Sequence, residues 1–288
     1  MRFQRLFIAS VALAALAALA ACKGDQHPSA TGINTPPLAY VRYFNAVPDT
    51  LPFDFREIDR IMYATAFLAV PFRAEGLGNY VGYQAGAQHI RIFPNSTDLA
   101  TTSSVIEDTT VTLTAGTYYS FVHTGYARAG VNPKHSLMML TDAITDPGAN
   151  ISYRVINVGS DIGTVDVYVT AAATDPLPAS PTFAAVAFKA VTAYTTAAPG
   201  PLAIRVFATG TRTTALSTVA APTGSVTAIC GLTNVGGASM AGSVLTAMVY
   251  GVATPLSPAE IKSGTGVNTT PKVVWWIDKA PSAVTVPC

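Results

Sequence analysis

Two pairs of aspartates recur at equal spacing in the two halves of the chain, Asp49 with Asp54 and Asp161 with Asp166. Paired carboxylates serve calcium binding or general acid/base chemistry. Neither loop offers the oxygen ligands calcium needs, and Asp49 follows a turn proline (Asp161 a serine), where a carboxylate accepts from nearby backbone N–H groups. Asp54 alternates with Phe53 and Phe55, so it points away from the aromatics, where it could face the other copy. The four aspartates therefore read as structural. His27 sits in a polar stretch, while His89, His123 and His135 show neither HExxH spacing nor a neighbouring cysteine ligand, and read as scattered surface residues. No metal and no cofactor is expected. Gly237-Ala238-Ser239-Met240-Ala241 falls one residue short of a Gly-x-Ser-x-Gly elbow, which also needs a strand-to-helix turn in an α/β sheet, so a serine hydrolase built on Ser239 is the weakest reading. No Gly-rich phosphate cradle precedes a helix.

Binding has better candidates than catalysis. Trp275 and Trp276 are adjacent in a strand-like run from Lys272 to Asp278, so alternation sends one ring inward and the other outward. An outward Trp would stack on a sugar ring or anchor a partner. The favoured reading is that it covers the junction between the two halves or lies under the Cys288 tail.

The N-terminus carries Arg2 and Arg5, then an Ala-rich apolar run from Leu6 ending in Leu19-Ala20-Ala21-Cys22. The run is short for a membrane span and is followed at once by polar residues. It resembles a bacterial lipoprotein signal, which implies removal of residues 1–21 and attachment of lipid to Cys22. The other reading is an ordinary secretory signal in which Cys22 is incidental. Several acyl chains on one residue hold a protein stably on a membrane, and residues 22–37 would form the lipidated cysteine and a flexible tether. Lys23 permits export to an outer membrane if the organism has one. With 288 residues, 11% of them charged, and a net charge of +1, the chain has no basic patch for nucleic acid. Cys230 and Cys288 remain as an even pair in an oxidising compartment and are expected to form a disulfide; two unrelated thiols are the alternative.

These groups are positioned by an internal repeat. Arg42-Tyr43-Phe44-Asn45-Ala46-Val47-Pro48-Asp49 with Phe53-Asp54-Phe55 returns as Arg154-Val155-Ile156-Asn157-Val158-Gly159-Ser160-Asp161 with Val165-Asp166-Val167, displaced by 112 residues. Tyr80, Gly86 and Ile90-Arg91-Ile92-Phe93 pair with Tyr194, Gly200 and Ile204-Arg205-Val206-Phe207. Ala115-Gly116-Thr117-Tyr118 pairs with Ala241-Gly242-Ser243-Val244, placing an insertion around 208–241 that contains Cys230. Within each copy the hydrophobic period is two, as in Val165, Val167 and Val169, which predicts strands with one buried and one wet face. The segment Glu57 to Val70 reads as strand-turn-strand. The predicted fold is all-β, with two tandem antiparallel β-sandwiches of immunoglobulin-like or transthyretin-like form over 38–146 and 147–288, meeting near Asp146-Pro147-Gly148.

The run from Val41 to Asp49, with Phe53-Asp54-Phe55, the strand Ala85-Gly86…Ile90-Arg91-Ile92-Phe93, and Leu113-Thr114-Ala115-Gly116-Thr117-Tyr118, resembles the DUF4397 family of bacterial envelope proteins. The resemblance covers the first copy well and the second less closely, since Ser160 replaces Pro48 there. It implies tandem sandwiches at the cell envelope and no established activity. The expectation is a lipid-anchored, non-enzymatic envelope protein with a binding or scaffold role toward a protein or polysaccharide, a carbohydrate-binding module using Trp275 or Trp276 being the alternative.

Overall fold

The computed structural model describes residues 36–59, 67–226, 234–252 and 269–281. Cys22, Cys230, Cys288 and His27 lie outside the described residues, so the expected lipid attachment and disulfide fall outside them too.

Strands dominate, as the Val-, Thr- and Tyr-rich alternating pattern predicts. The first set comprises β1 (Leu38–Ala46), β2 (Phe53–Glu57), β3 (Phe67–Val70), β4 (Ala74–Glu75), β5 (Val81–Gln84), β6 (Gly86–Pro94), β7 (Glu107–Leu113), β8 (Tyr118–Thr124) and β9 (Ser136–Thr141). A one-turn helix, α1 (Leu99–Thr102), is capped by Asp98, whose side chain accepts from the Thr101 N–H. The second set is β10 (Ile151–Asn157), β11 (Val165–Thr170), β12 (Phe183–Val186), β13 (Thr195–Ala197), β14 (Ala203–Ala208), β15 (Ser217–Ala220), β16 (Val244–Tyr250) and β17 (Lys272–Lys279).

Each set makes two sheets of the same strand order. The first has an inner sheet β4-β1-β8-β9, with β5 also on β1, and an outer sheet β3-β2-β6-β7. The second has an inner sheet β13-β10-β16-β17 and an outer sheet β12-β11-β14-β15. Neighbours are antiparallel except β1 with β8 and β10 with β16, which run parallel. All ladders of the named strands fall within one set or the other.

Alternation along the inner strands explains how the sheets stack. On β1, Val41 and Tyr43 enter a core with Phe53, Phe55, Ile90 and Ile92 of the outer sheet. Phe44 and Ala46 point the other way and meet Ile156, Met248 and Tyr250 of the second inner sheet. Val155, Ala247 and Val249 in turn face Val165, Val167, Ile204 and Val206. The result is four layers, outer–inner–inner–outer, with three hydrophobic seams. The described residues from Pro37 onward consequently form one compact body.

This corrects the expected wet face on every strand. β6 keeps its alternation of buried and part-exposed positions, but β10 and β16 are buried throughout and β8 at all but its first residue. Their polar side chains face another sheet instead of water. The expected insertion is also narrower than 208–241, because β15 within it pairs with β14 as β7 pairs with β6. The extra length falls between β15 and β16. The segment read as strand-turn-strand begins in β2 and ends in β3, which pair antiparallel.

Candidate functional site

The middle seam contains a buried cluster of charges. Arg42 on β1 and Arg154 on β10 occupy matching places in the repeat and both point into the seam, where a bare guanidinium would be very costly. Arg42 Nη2 donates to Asp278 Oδ1 on β17 at 2.6 Å, and its Nε donates to Ser120 Oγ on β8 at 2.8 Å. Arg154 Nη2 donates to Asp142 Oδ1, just beyond β9, and its Nε to Thr246 Oγ1 on β16 at 2.9 Å. The exchange is reciprocal: each arginine crosses the seam to the other set's aspartate. Each aspartate is also held by its own set. Asp142 accepts from Ser120 Oγ at 2.6 Å and Tyr80 OH at 2.7 Å; Asp278 accepts from Thr246 Oγ1 at 2.5 Å and Tyr194 OH at 2.7 Å. Tyr80 and Tyr194 also lay their rings against the guanidinium carbons, at 4.4 and 4.6 Å.

Burial alone would lower the Arg42 pKa, but Asp278, Tyr80 and Asp142 outweigh it and hold the guanidinium above its ordinary value. Arg154 is raised against burial mainly by Asp142. Glu75 on β4 shows the cost of a further charge here. Burial pushes its carboxyl up to about 7, against the pull of Arg42, with Asp278 and Asp142 adding to the rise.

The other repeated polar residues are likewise engaged by the backbone. Asn45 accepts from the Val47 N–H at 2.9 Å and donates to Val70 O; Asn157 accepts from the Gly159 N–H and donates to Gly163 O and Val186 O. Asp49 accepts from the Ala127 and Arg128 N–H groups, and Asp161 from that of Val252. Gly251 is required beside Asp161, since a Cβ there would overlap Asp161 Oδ1. Asp54 and Asp166 accept from the N–H of Ala69 and Ala185, both at 2.8 Å. Those two alanines share a left-handed backbone, φ 51°, so each carboxylate steadies a strained residue within the register shift of an edge strand. Asp54 is buried against β3.

The tryptophans part to opposite faces of β17, as alternation requires. Trp275 packs against the seam between the second inner and outer sheets, while Trp276 lies in the middle seam with its ring centroid 5.1 Å from that of Phe44. Neither is fully exposed. Trp276 thus covers the junction. Ser239 lies in an exposed turn whose N–H donates to Thr223 O, and the described histidines all belong to the first set.

Those histidines are not scattered over the surface. His89 pairs with Asp108 at 2.6 Å on the outer sheet. His123, on β8, is fully buried, packed on Phe53 with centroids 4.9 Å apart. Its Nε2 lies 3.2 Å from His135 Nδ1, which lies 3.3 Å from Glu107 Oε2 at the start of β7. Strand alternation places His123 inward, but its residue type and spacing gave no sign of this meeting, because the three residues come from three separate elements.

The comparisons with known proteins bear on the first set. Residues 39–168 match the family model described as "Domain of unknown function (DUF4397)". That stretch is similar to DUF4397 domains. The match does not stop at the Asp146 turn but runs through β10 to Tyr168 on β11. The matched residues thus include both seam arginines, Asp142, Tyr80 and the Glu107–His123–His135 group, while Asp278, Thr246 and Tyr194 lie beyond the match. No curated protein matches the chain. Among solved structures, a leucine-rich repeat protein from Bacteroides thetaiotaomicron VPI-5482 is 14% identical, with 65% of this chain and 24% of that one covered and a TM-score of 0.19. This chain spans about a quarter of that protein, and a likeness so slight carries no argument about fold or function.

Proposed function

We propose that this protein is a lipid-anchored, non-enzymatic component of the bacterial envelope that presents a rigid four-layered β body to a partner. The observation that carries the reading is the reciprocal exchange of Arg42 with Asp278 and Arg154 with Asp142. A buried ion pair adds little net stability over a well-packed apolar seam, yet it fixes which surfaces meet and in what register. The repeated Asn and Asp residues serve turns and edges in the same way, so the chain's recurring polar groups are engaged in shape. Lipid on Cys22 would supply the attachment, the polar segment to Pro37 the reach, and a second copy of the DUF4397 module after residue 147 the added height. The packing of Trp276 on Phe44 weighs against the carbohydrate-stacking alternative.

The test is fractionation of cells expressing the full chain or its Cys22→Ser variant, with metabolic labelling by a fatty acid. The parent chain is expected to take up label and pellet with membranes, and the variant to lose both. Membrane retention unchanged in the variant would overturn the anchor.

A further inference from the structure

We propose that Glu107, His123 and His135 form a binding site for a divalent transition metal ion of the zinc class, separate from the seam charges. The ligand types are right, since two imidazoles and one carboxylate suit Zn2+ and its neighbours better than calcium or magnesium. The geometry is close to what such an ion needs. Metal–ligand bonds of about 2.0–2.1 Å in a tetrahedron set neighbouring ligand atoms about 3.4 Å apart. Here His123 Nε2 and His135 Nδ1 are 3.2 Å apart, His135 Nδ1 and Glu107 Oε2 are 3.3 Å apart, and all three atoms lie within 4.8 Å of one another.

Proton bookkeeping points the same way. When both histidines are neutral and His135 carries its proton on Nδ1, that single N–H stands between two acceptors, His123 Nε2 and the Glu107 carboxylate. One proton cannot serve both fully. A divalent cation in its place bonds all three, releasing that proton. Tyr43 OH lies 3.4 Å from His123 Nδ1, on the far side of the ring. Donation from Nδ1–H to that oxygen leaves the lone pair on Nε2, the partner arrangement common to metal-bound imidazoles.

The backbone is shaped to bring His135 in. At Gly125, φ is +94°, and a Cβ would come within 2.7 Å of Lys134 O and 2.8 Å of His135 Cα. The Tyr126 N–H donates to Pro133 O and the His135 N–H to Tyr126 O, closing the loop over the end of β8. Asp49 anchors its near side at Ala127 and Arg128. The matching ladder positions of the second set carry no such ligands. His123 stands opposite Asn45 and Val249 opposite Asn157; Glu107 stands opposite Ile92 and Ser217 opposite Val206. The fold therefore does not require a histidine or a glutamate at these places. Glu107 and His135 keep some exposure while His123 has none, so an ion enters from the rim and three protein ligands leave a position for water or a partner's side chain.

The test is calorimetric titration of the untagged, alkylated full chain in detergent with ZnCl2, beside Glu107→Gln, His135→Ala and His89→Ala variants. Alkylation removes thiols as competing ligands, and melting curves taken without metal show that each variant is folded. The expected result is one zinc per chain, with affinity reduced by at least about tenfold in the two ligand variants and unchanged in His89→Ala. Absence of binding by the parent chain would show the trio to be a hydrogen-bonded cluster only. Equal binding by folded Glu107→Gln and His135→Ala would place the ion elsewhere and also overturn the site.

Discussion

Arg42 and Asp278 are 236 residues apart in the chain and 2.6 Å apart in the fold. Their contact, mirrored by Arg154 with Asp142, joins the two inner sheets through groups that water does not reach. Removing one member leaves its partner charged and buried. Arg42→Met should therefore cost about 3–5 kcal/mol in equilibrium denaturant unfolding. Arg42→Met with Asp278→Leu should cost clearly less than the sum of the single changes, because the double variant orphans no charge on that axis. Additive losses would show that the two residues do not act as a pair.

Glu75 gives the seam a pH dependence of definite sign. Its carboxyl titrates near 4.5 when unfolded and is pushed up to about 7 in the fold by burial, beside Arg42 of β1, Asp278 of β17 and Asp142. Between those values the unfolded chain ionises first, so Glu75 withdraws stability as pH rises from about 4.5 to about 7, by up to about 3 kcal/mol. Glu75→Gln should abolish that part of the decline. Parallel stability–pH curves for the two proteins over this range would refute the assignment.

The aspartates of the repeat should prove structural. Asp54 accepts from the Ala69 N–H, Asn95 Nδ2 and Arg56 Nη2, and Ala69 holds a left-handed backbone. Asp54→Ala should destabilise by about 1–3 kcal/mol, the cost of leaving a buried donor unpaired. With the carboxylates so engaged, calcium on the order of millimolar should leave the melting curve of the parent chain unchanged. A calcium-dependent rise in melting temperature, lost in Asp54→Ala or Asp49→Ala, would restore the ion-binding reading.

Much of this architecture is legible in the residues themselves. The period-two pattern of Val165, Val167 and Val169 gives strands, and the recurrence of Arg42, Asn45, Asp49 and Asp54 at 154, 157, 161 and 166 gives the repeat. The stacking of the inner sheets was not legible. Ser120 and Thr124 on β8, or Ser152 and Thr246 in the second set, look like a wet face in sequence, and only the opposing sheet shows why they are buried. Arg42 recurs as Arg154, but its partner Asp278 sits outside the repeat's clear matches, so the pairing does not follow from the sequence. The histidine pair was hidden for the same reason. His123 and His135 meet through a loop closure at Gly125, and neither spacing nor composition encodes a distance across a loop.

Trp276 decides between a junction and a sugar platform. Its ring meets Phe44 and belongs to the middle seam with Met248 and Tyr250. Truncating a large aromatic in such a place costs about 3–5 kcal/mol, so Trp276→Ala should lower the unfolding midpoint sharply. Trp276→Phe keeps an aromatic against Phe44 and should recover most of that loss. Co-sedimentation with purified envelope polysaccharides separates the two uses of the ring. A junction residue changes stability and leaves any retention by the folded Trp276→Phe protein as it was in the parent. Retention lost in Trp276→Phe while its unfolding midpoint stays near the parent value would make the ring a stacking surface, and the protein a glycan-binding one.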